Sequence, residues 1–155
     1  MNRSGLDLQH LKAWESLIRA HGALIKAICK RMGEECEIGL DTYEVLLSLE
    51  QAPQQRLTMG ALADIVMLSP SGVTRLVDRL QRDGYLERAC NPADKRSFFA
   101  VLTPSGLAAR EKAWPMVQEC IREGFASKLS EQEAETLTKL LQKFVKSGVG
   151  AKVYL

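Results

Sequence analysis

The chain has 155 residues, of which 46% are hydrophobic and 26% are charged, and its formal net charge at pH 7 is +2. This composition is typical of one globular domain, or of one small domain with a dimerisation extension, and it excludes a disordered chain. So small a net charge does not by itself indicate a nucleic-acid partner, and an argument for one depends on where the charges lie.

No targeting or membrane signal is recognisable. The stretch MNRSGLDLQHLKAW lacks the basic start and the apolar core of a signal peptide. No apolar run approaches the roughly 18 residues that a membrane span needs. We therefore expect a cytoplasmic protein with no membrane partner.

Catalytic and metal-binding motifs are not found either. The four cysteines form no C-x-x-C pair and have no histidine at ligand spacing, so neither a metal nor a cofactor is predicted. In a reducing compartment their thiols should be free. Because no convergent set of reactive groups can be assembled, we do not expect an enzyme or catalytic residues.

The first third of the chain is predicted to be helical. Apolar residues at helical spacing indicate a helix over residues 6–32, and they cover more than one of its faces, which suggests burial against a second subunit. Residues 33–39 are expected to form a loop. Asp41 should cap a second helix over residues 42–51, which ends because Pro53 disfavours helical conformation in the residue before it.

Two short helical patterns with a tight turn between them follow. Thr58 is the expected cap of a helix over residues 59–66. Ser69 is a typical N-cap and Pro70 occupies the first helical position, so the next helix should begin there. The apolar residues of this helix recur at i, i+3, i+4 and i+7 and predict a face on the core: Val73, Leu76, Val77 and Leu80.

The opposite face of that helix is polar. Its side chains are Ser71, Thr74, Arg75, Asp78, Arg79 and Arg82. They can reach base edges and phosphates in a major groove of DNA, although on an isolated helix they would indicate only a solvated surface. A winged-helix protein-interaction module is the alternative from a different class, and the arginines count against it.

The chain after Gly84, a typical helix C-cap, is predicted to form two strands and two helices. Segments 85–90 and 97–102 are predicted to form two antiparallel strands linked by the loop NPADKR. Thr103 and Pro104 open a helix that Pro115 should kink. A capping box, Ser130 to Glu133, then starts the last helix. The residues of that helix expected to face inward are Leu137, Leu140, Leu141 and Phe144.

The stretch from Leu57 to Gly106 contains the helix SPSGVTRLVDRLQRDGYLER, the wing NPADKR and the strand exit VLTPSG. In pattern and spacing it resembles the winged-helix core of the MarR family of bacterial transcription regulators. The triplet Asp94, Lys95 and Arg96 stands where that family places its D-x-R signature, and VLTPSG matches its L-T-x-x-G. The flanking helices agree only in length and amphipathicity.

The resemblance implies a fold that is mainly α with a small β wing. A winged helix-turn-helix, residues 41–106, would lie between an N-terminal dimerisation helix and loop in residues 1–40 and C-terminal dimerisation helices in residues 107–155. The function implied is that of a homodimeric, sequence-specific DNA-binding regulator, most often a repressor. The two recognition helices would enter successive major grooves of a pseudo-palindromic operator in double-stranded DNA.

The expected DNA contacts come from the recognition helix and the wing. Base contacts are predicted for Ser71, Thr74 and Arg75. Phosphate contacts are predicted for Ser69, Arg79 and Arg82. Lys95 and Arg96 of the wing would reach the neighbouring minor groove. The family resemblance also implies a salt bridge between Arg96 and Asp78, and the alternative for Asp78 is an i, i+4 pair with Arg82.

One face of the first helix suggests an effector site. His10, Trp14 and His21 fall on that face, and an indole between two imidazoles suits a small aromatic acid. Acids of this kind release many members of the family from DNA. Tyr43 and Trp114 would close the pocket. The alternative is that Trp14 belongs to the dimer core and the histidines lie on the surface.

A cysteine-based oxidant sensor of the same fold is the second regulatory hypothesis. Cys29, near the end of the first helix, and Cys36, in the loop beyond it, are the candidate sensors. Peroxide-sensing relatives commonly carry a cysteine near the beginning of the first helix, and this chain has none there. Buried, inert thiols at Cys29 and Cys120 are the alternative.

Overall fold

The computed structural model of the chain describes residues 5–66 and 69–144, apart from the side chain of Lys95. Its elements in chain order are α1 (Leu8–Glu35), α2 (Leu40–Gln51), β1 (Arg56–Thr58), α3 (Met59–Val66), α4 (Pro70–Arg82), β2 (Leu86–Asn91), β3 (Asp94–Leu102), α5 (Pro104–Gly124) and α6 (Glu131–Gln142). The predicted fold class, mainly α with a small β wing, is confirmed. Among the described residues, no helix combines the length and the hydropathy needed to span a bilayer.

The predicted starts of α4, α5 and α6 agree with the structure. The Ser69 hydroxyl accepts the N–H of Gly72 at 3.2 Å, which caps α4. The side chain of Thr103 caps α5 in the same way, and Ser130 forms a complete capping box with Glu133 at the start of α6. These signals are local in sequence, since each cap reaches a backbone group only a few residues ahead.

Two predicted boundaries near the first loop are wrong. α1 continues to Glu35 rather than ending before Gly33, because a glycine costs a helix interior only about 1 kcal/mol. The last turn is held by an ion pair of 2.8 Å between Arg31 Nε and Glu35 Oε1. α2 begins slightly earlier than expected, with Gly39 as its N-cap and Asp41 inside the first turn.

The sheet has the order β1-β3-β2, with both pairings antiparallel. β2 and β3 form the wing, and its loop is shorter than predicted because the strands extend to Asn91 and from Asp94. β1 is not predicted by the sequence pattern, since three residues are too few for an alternation to show. It pairs with β3 from Arg56↔Val101 to Thr58↔Phe99.

The core lies between the winged helix and the middle of α5. The predicted inner face of α4 is buried as expected. Fully buried side chains of the core are Met32, Tyr43, Val45, Leu46, Leu49, Leu62, Val73, Val77, Leu80, Leu86 and Val117. This core fixes α4 and the wing relative to α2 and α5.

The first half of α1 and all of α6 lie outside that core. Leu140 and Phe144, predicted to face inward, are 48% and 78% exposed, so this prediction is wrong for a single protomer. Apolar side chains along α1 are also exposed: Leu8, Leu11, Trp14, Leu17 and Ile18. Exposed apolar surface of this extent is typical of a protein-protein interface.

The wing and α5 meet at a close backbone crossing. The Thr103 hydroxyl donates to the carbonyl of Gly84 at 2.6 Å, and the Thr103 N–H donates to the carbonyl of Tyr85 at 3.2 Å. Gly106, in the first turn of α5, lies against that same Tyr85 carbonyl, and a Cβ there would overlap its oxygen. The crossing therefore requires glycine at this position. α5 then continues as one helix past Pro115, and the predicted kink stays a prediction.

Candidate nucleic-acid interface

α4 presents a continuous polar face beside the wing. Its buried side is apolar, whereas the predicted contact residues Ser69, Ser71, Thr74, Arg75, Arg79 and Arg82 are all exposed. Asp78 is half-buried between this face and the sheet. The helix therefore offers a row of donors on one side while its other side is fixed in the core.

The first turns of α4 carry the residues predicted to contact bases. The Ser69 and Ser71 hydroxyls lie 3.1 Å apart, and the Thr74 hydroxyl donates to the Pro70 carbonyl at 3.0 Å. The exposed Arg75 side chain forms no ion pair or hydrogen bond with any described residue. Of the three residues predicted to contact bases, only Arg75 has a side chain not already engaged locally.

The end of α4 is tied to two other elements. Arg79 Nη2 donates to Asp41 Oδ2 at 2.7 Å and to Thr42 Oγ1 at 3.3 Å, both at the start of α2. Partial burial by itself would raise the pKa of Asp41, but the hydrogen bonds from Arg79 and from the Thr42 N–H hold that pKa below its ordinary value. Asp41 therefore remains a carboxylate at neutral pH. Among the described residues, Arg82 Nε donates to the Asp78 carbonyl alone, at 3.4 Å.

Asp78 has a different partner from the two that the sequence suggests. Its Oδ1 accepts a hydrogen bond of 2.6 Å from Arg88 Nη2, and no described ion pair joins it to Arg96 or to Arg82. Arg88 lies on β2, which follows α4 directly and packs against it, whereas Arg96 lies further out near the tip of the wing. The expected Asp78–Arg96 salt bridge is therefore corrected to Asp78–Arg88. Nothing in the sequence distinguishes Arg88 from the neighbouring arginines.

The tip of the wing is shaped by side-chain hydrogen bonds to its own backbone. Asn91 Oδ1 accepts the Ala93 N–H at 3.0 Å, and Asp94 Oδ1 accepts the Arg96 N–H at 3.0 Å. Asp94, the acid of the D-x-R signature, thus stabilises the turn by accepting the backbone N–H of Arg96. The Arg96 side chain is exposed and has no partner among the described residues. The side chain of Lys95 lies outside the described part of the chain.

The five residues predicted to form an effector pocket are not enclosed together in the described protomer. Trp14 is 65% exposed on α1, whereas Tyr43 is fully buried and Trp114 packs against the core. His10 and His21 are exposed, and His10 Nδ1 lies 2.9 Å from Asp7 Oδ2. In the described part of the protomer Trp14 therefore does not lie in an enclosed site.

The candidate sensor cysteines differ in environment. Cys29 is exposed rather than buried, and Cys120 is buried as the alternative expects. Burial, together with the neighbouring carboxylate of Glu35, raises the pKa of the half-buried Cys36. A raised pKa leaves less of the reactive thiolate, so the environment of Cys36 does not favour oxidant sensing.

Together, the helix pair α3 and α4, the hairpin β2–β3 and the exposed arginines define a winged helix-turn-helix protein of the DNA-binding class. A family model described as MarR family matches residues 39–97. The chain is 36% identical over 147 residues to the HTH-type transcriptional regulator YkoM of Bacillus subtilis, covering 92% of this chain and 93% of that protein.

Two further similarities connect the chain to regulators named MarR. It is 30% identical to the multiple antibiotic resistance protein MarR of Salmonella typhimurium, over 70% of this chain and 74% of that one. The solved structure of a mutant Escherichia coli MarR complexed with operator DNA matches with a TM-score of 0.76 and 26% identity, covering 91% of this chain and 100% of that one. The chain belongs to the MarR family and is a DNA-binding transcriptional regulator.

Proposed function

We propose that the protein is a cytoplasmic, homodimeric repressor that binds a pseudo-palindromic operator and is released from it by a small aromatic acid. The observation that carries the DNA-binding part is the exposed face of α4, where Arg75 is unpaired among the described residues. A guanidinium is the group that most often makes specific contacts in a major groove, through two hydrogen bonds to guanine.

The proposed contacts follow from the geometry of α4 and the wing. Ser71, Thr74 and Arg75 would face bases, with the two hydroxyls exchanging their local partners for base edges. Ser69 and Arg82 would face phosphates at either end of the helix. Arg96, and with it Lys95, would enter the adjacent minor groove, where a narrow groove attracts basic side chains.

The proposed dimer uses the helices at both ends of the chain. α1 and α6 expose apolar side chains, and in the division proposed for this chain they belong to residues 1–40 and 107–155, on either side of the DNA-binding domain in residues 41–106. Packing these faces against a second copy would remove that apolar surface from water. The two recognition helices would then be held at a fixed separation, as the operator geometry requires.

Replacing Arg75 with alanine should weaken binding to the operator by about 1 to 3 kcal/mol, or roughly 5- to 150-fold, and relax the preference at one base pair. Fluorescence anisotropy with the DNA upstream of the gene, and with the same length of random DNA, measures both effects. Arg19→Ala is the matched control, because it removes the same charge from an exposed side chain on α1. An equal loss on random DNA would show that Arg75 only contacts a phosphate.

The effector proposal predicts that salicylate-like acids at millimolar concentration weaken operator binding by about 5- to 150-fold. These acids must bind more tightly to the dimer geometry in which the recognition helices are too far apart or too close for the operator. A ligand with equal affinity for this geometry and for the DNA-binding geometry would not change the populations of the two. Trp14→Ala should abolish the effect while the protein remains dimeric by light scattering. The proposal fails for these acids if the parent protein does not respond, and Trp14 has no role if parent and variant respond equally.

A further inference from the structure

The Arg79 side chain joins the recognition helix to the start of α2 through a single nitrogen. Nη2 donates both of its hydrogens, one to Asp41 Oδ2 at 2.7 Å and one to Thr42 Oγ1 at 3.3 Å. These partners lie 38 and 37 positions away in sequence, so the contact exists only in the folded chain.

The rest of the guanidinium remains open. Arginine has five N–H donors in a planar group, and three of them belong to Nε and Nη1. None of these three donates to a described residue, and the side chain is 46% exposed. The contact with α2 therefore fixes the plane of the group and leaves the N–H donors of Nε and Nη1 available for an acceptor outside the protein.

Arg79 lies on the same face of α4 as the proposed base contact. Arg75 and Arg79 are separated by one helical turn, so their side chains project from neighbouring positions on one face. If Arg75 reaches a base edge, a group one turn further along the helix meets the rim of the groove, where the phosphates lie. A free guanidinium N–H can donate a charge-assisted hydrogen bond to a phosphate oxygen there.

We propose that Asp41 and Thr42 are positioning residues that hold the Arg79 guanidinium so that a free N–H of Nε or Nη1 donates to a phosphate of the operator backbone. The proposal rests on the DNA contacts proposed for α4 and adds α2 to the residues that determine operator affinity. A free arginine loses side-chain entropy when it binds, whereas one that is already held loses less, so preorganisation strengthens the contact.

The contact between Asp41 and Arg79 could also have the opposite effect on DNA binding, and an experiment can distinguish the two effects. A carboxylate beside Arg79 could instead compete with the phosphate and weaken binding. Removing the charge of Asp41 also makes the protein less acidic near the DNA, which by itself raises affinity. A loss of affinity in Asp41→Asn therefore runs against the general charge effect and specifically indicates positioning.

The test measures operator affinity of the full chain over a series of salt concentrations for Arg79→Ala, Asp41→Asn and the double variant. Arg79→Ala should lose about tenfold in affinity, as expected for one charge-assisted hydrogen-bonded contact, and should reduce the slope of log affinity against log salt by about 0.9. Asp41→Asn should lose about fivefold. The double variant should bind as weakly as Arg79→Ala and no more weakly, because Asp41 acts through Arg79.

Glu135→Gln is the matched control. It removes one negative charge from an exposed ion pair, with Lys139 at 2.6 Å, on α6. Its operator affinity should not fall. Thermal unfolding of all variants should stay within about 2 °C of the parent, since a half-exposed ion pair contributes little to stability.

Two results overturn the proposal. Unchanged or raised affinity in Asp41→Asn shows that the carboxylate does not position Arg79 for DNA. An unchanged salt slope in Arg79→Ala shows that Arg79 meets no phosphate. If Arg75→Ala still loses affinity in that case, only this inference fails, whereas a parent protein that does not bind the operator would remove the proposed function itself.

Discussion

Replacing Gly106 with alanine is expected to lower the free energy of unfolding by about 3 kcal/mol or more. A Cβ at this position would overlap the carbonyl oxygen of Tyr85 and lie 2.9 Å from Leu102 Cδ1. The Tyr85 carbonyl cannot move aside, because it accepts the Thr103 N–H and its chain neighbour Gly84 accepts the Thr103 hydroxyl. The clash must therefore be relieved by moving α5 away from Tyr85, which lies just before β2 at the base of the wing.

Chemical denaturation at a fixed protein concentration measures this loss. Gly60→Ala is the control, because a Cβ at Gly60, in the exposed first turn of α3, would have no heavy atom within 4 Å. It should change stability by less than about 1 kcal/mol, in the stabilising direction, since alanine restricts the unfolded chain. Equal stability of the Gly106 and Gly60 variants would show that the crossing relaxes without cost.

The position of Gly106 also shows why part of this fold is predictable from sequence. Caps such as Ser69, Thr103 and Ser130 satisfy backbone groups within three residues, so their signals are complete in a short window. The apolar stripe of α4 is equally local, and all four of its predicted core residues are buried. The recognition helix was therefore predictable in its bounds and in its exposed face.

Contacts between distant segments were not predictable in the same way. Arg79 is one of several similar arginines until folding brings Asp41 beside it, and the pairing of Asp78 with Arg88 depends on how β2 packs against α4. The short strand β1 exists only because β3 offers it a partner. Spacing along the chain carries no information about such pairs, which arise from the tertiary fold.

The apolar residues of α1 show a third situation, in which periodicity identifies a face but not what covers it. Trp14 and Ile18 lie on the predicted stripe, yet they are 65% and 50% exposed in the protomer. A helix that keeps such a stripe in water is disfavoured by the hydrophobic effect, so a second copy of the chain is the expected cover. We therefore expect the stripe, rather than the protomer core, to join the two subunits and so to link the two half-site contacts of the operator.

Ile18→Asp is accordingly expected to convert the dimer to a monomer and to weaken operator binding by about 100-fold or more. Two-fold symmetry places the new carboxylate in the interface twice, where burial of an unpaired charge is strongly unfavourable. A monomer then binds each half-site alone and loses the effective concentration that links the two recognition helices.

Light scattering measures the loss of the dimer, and anisotropy on the full operator measures the loss of affinity. The affinity for a single half-site should change little. Ser16→Asp, which adds the same charge on the opposite face of α1, should remain dimeric, and an Ile18→Asp protein that is also dimeric with full affinity would exclude α1 from the interface.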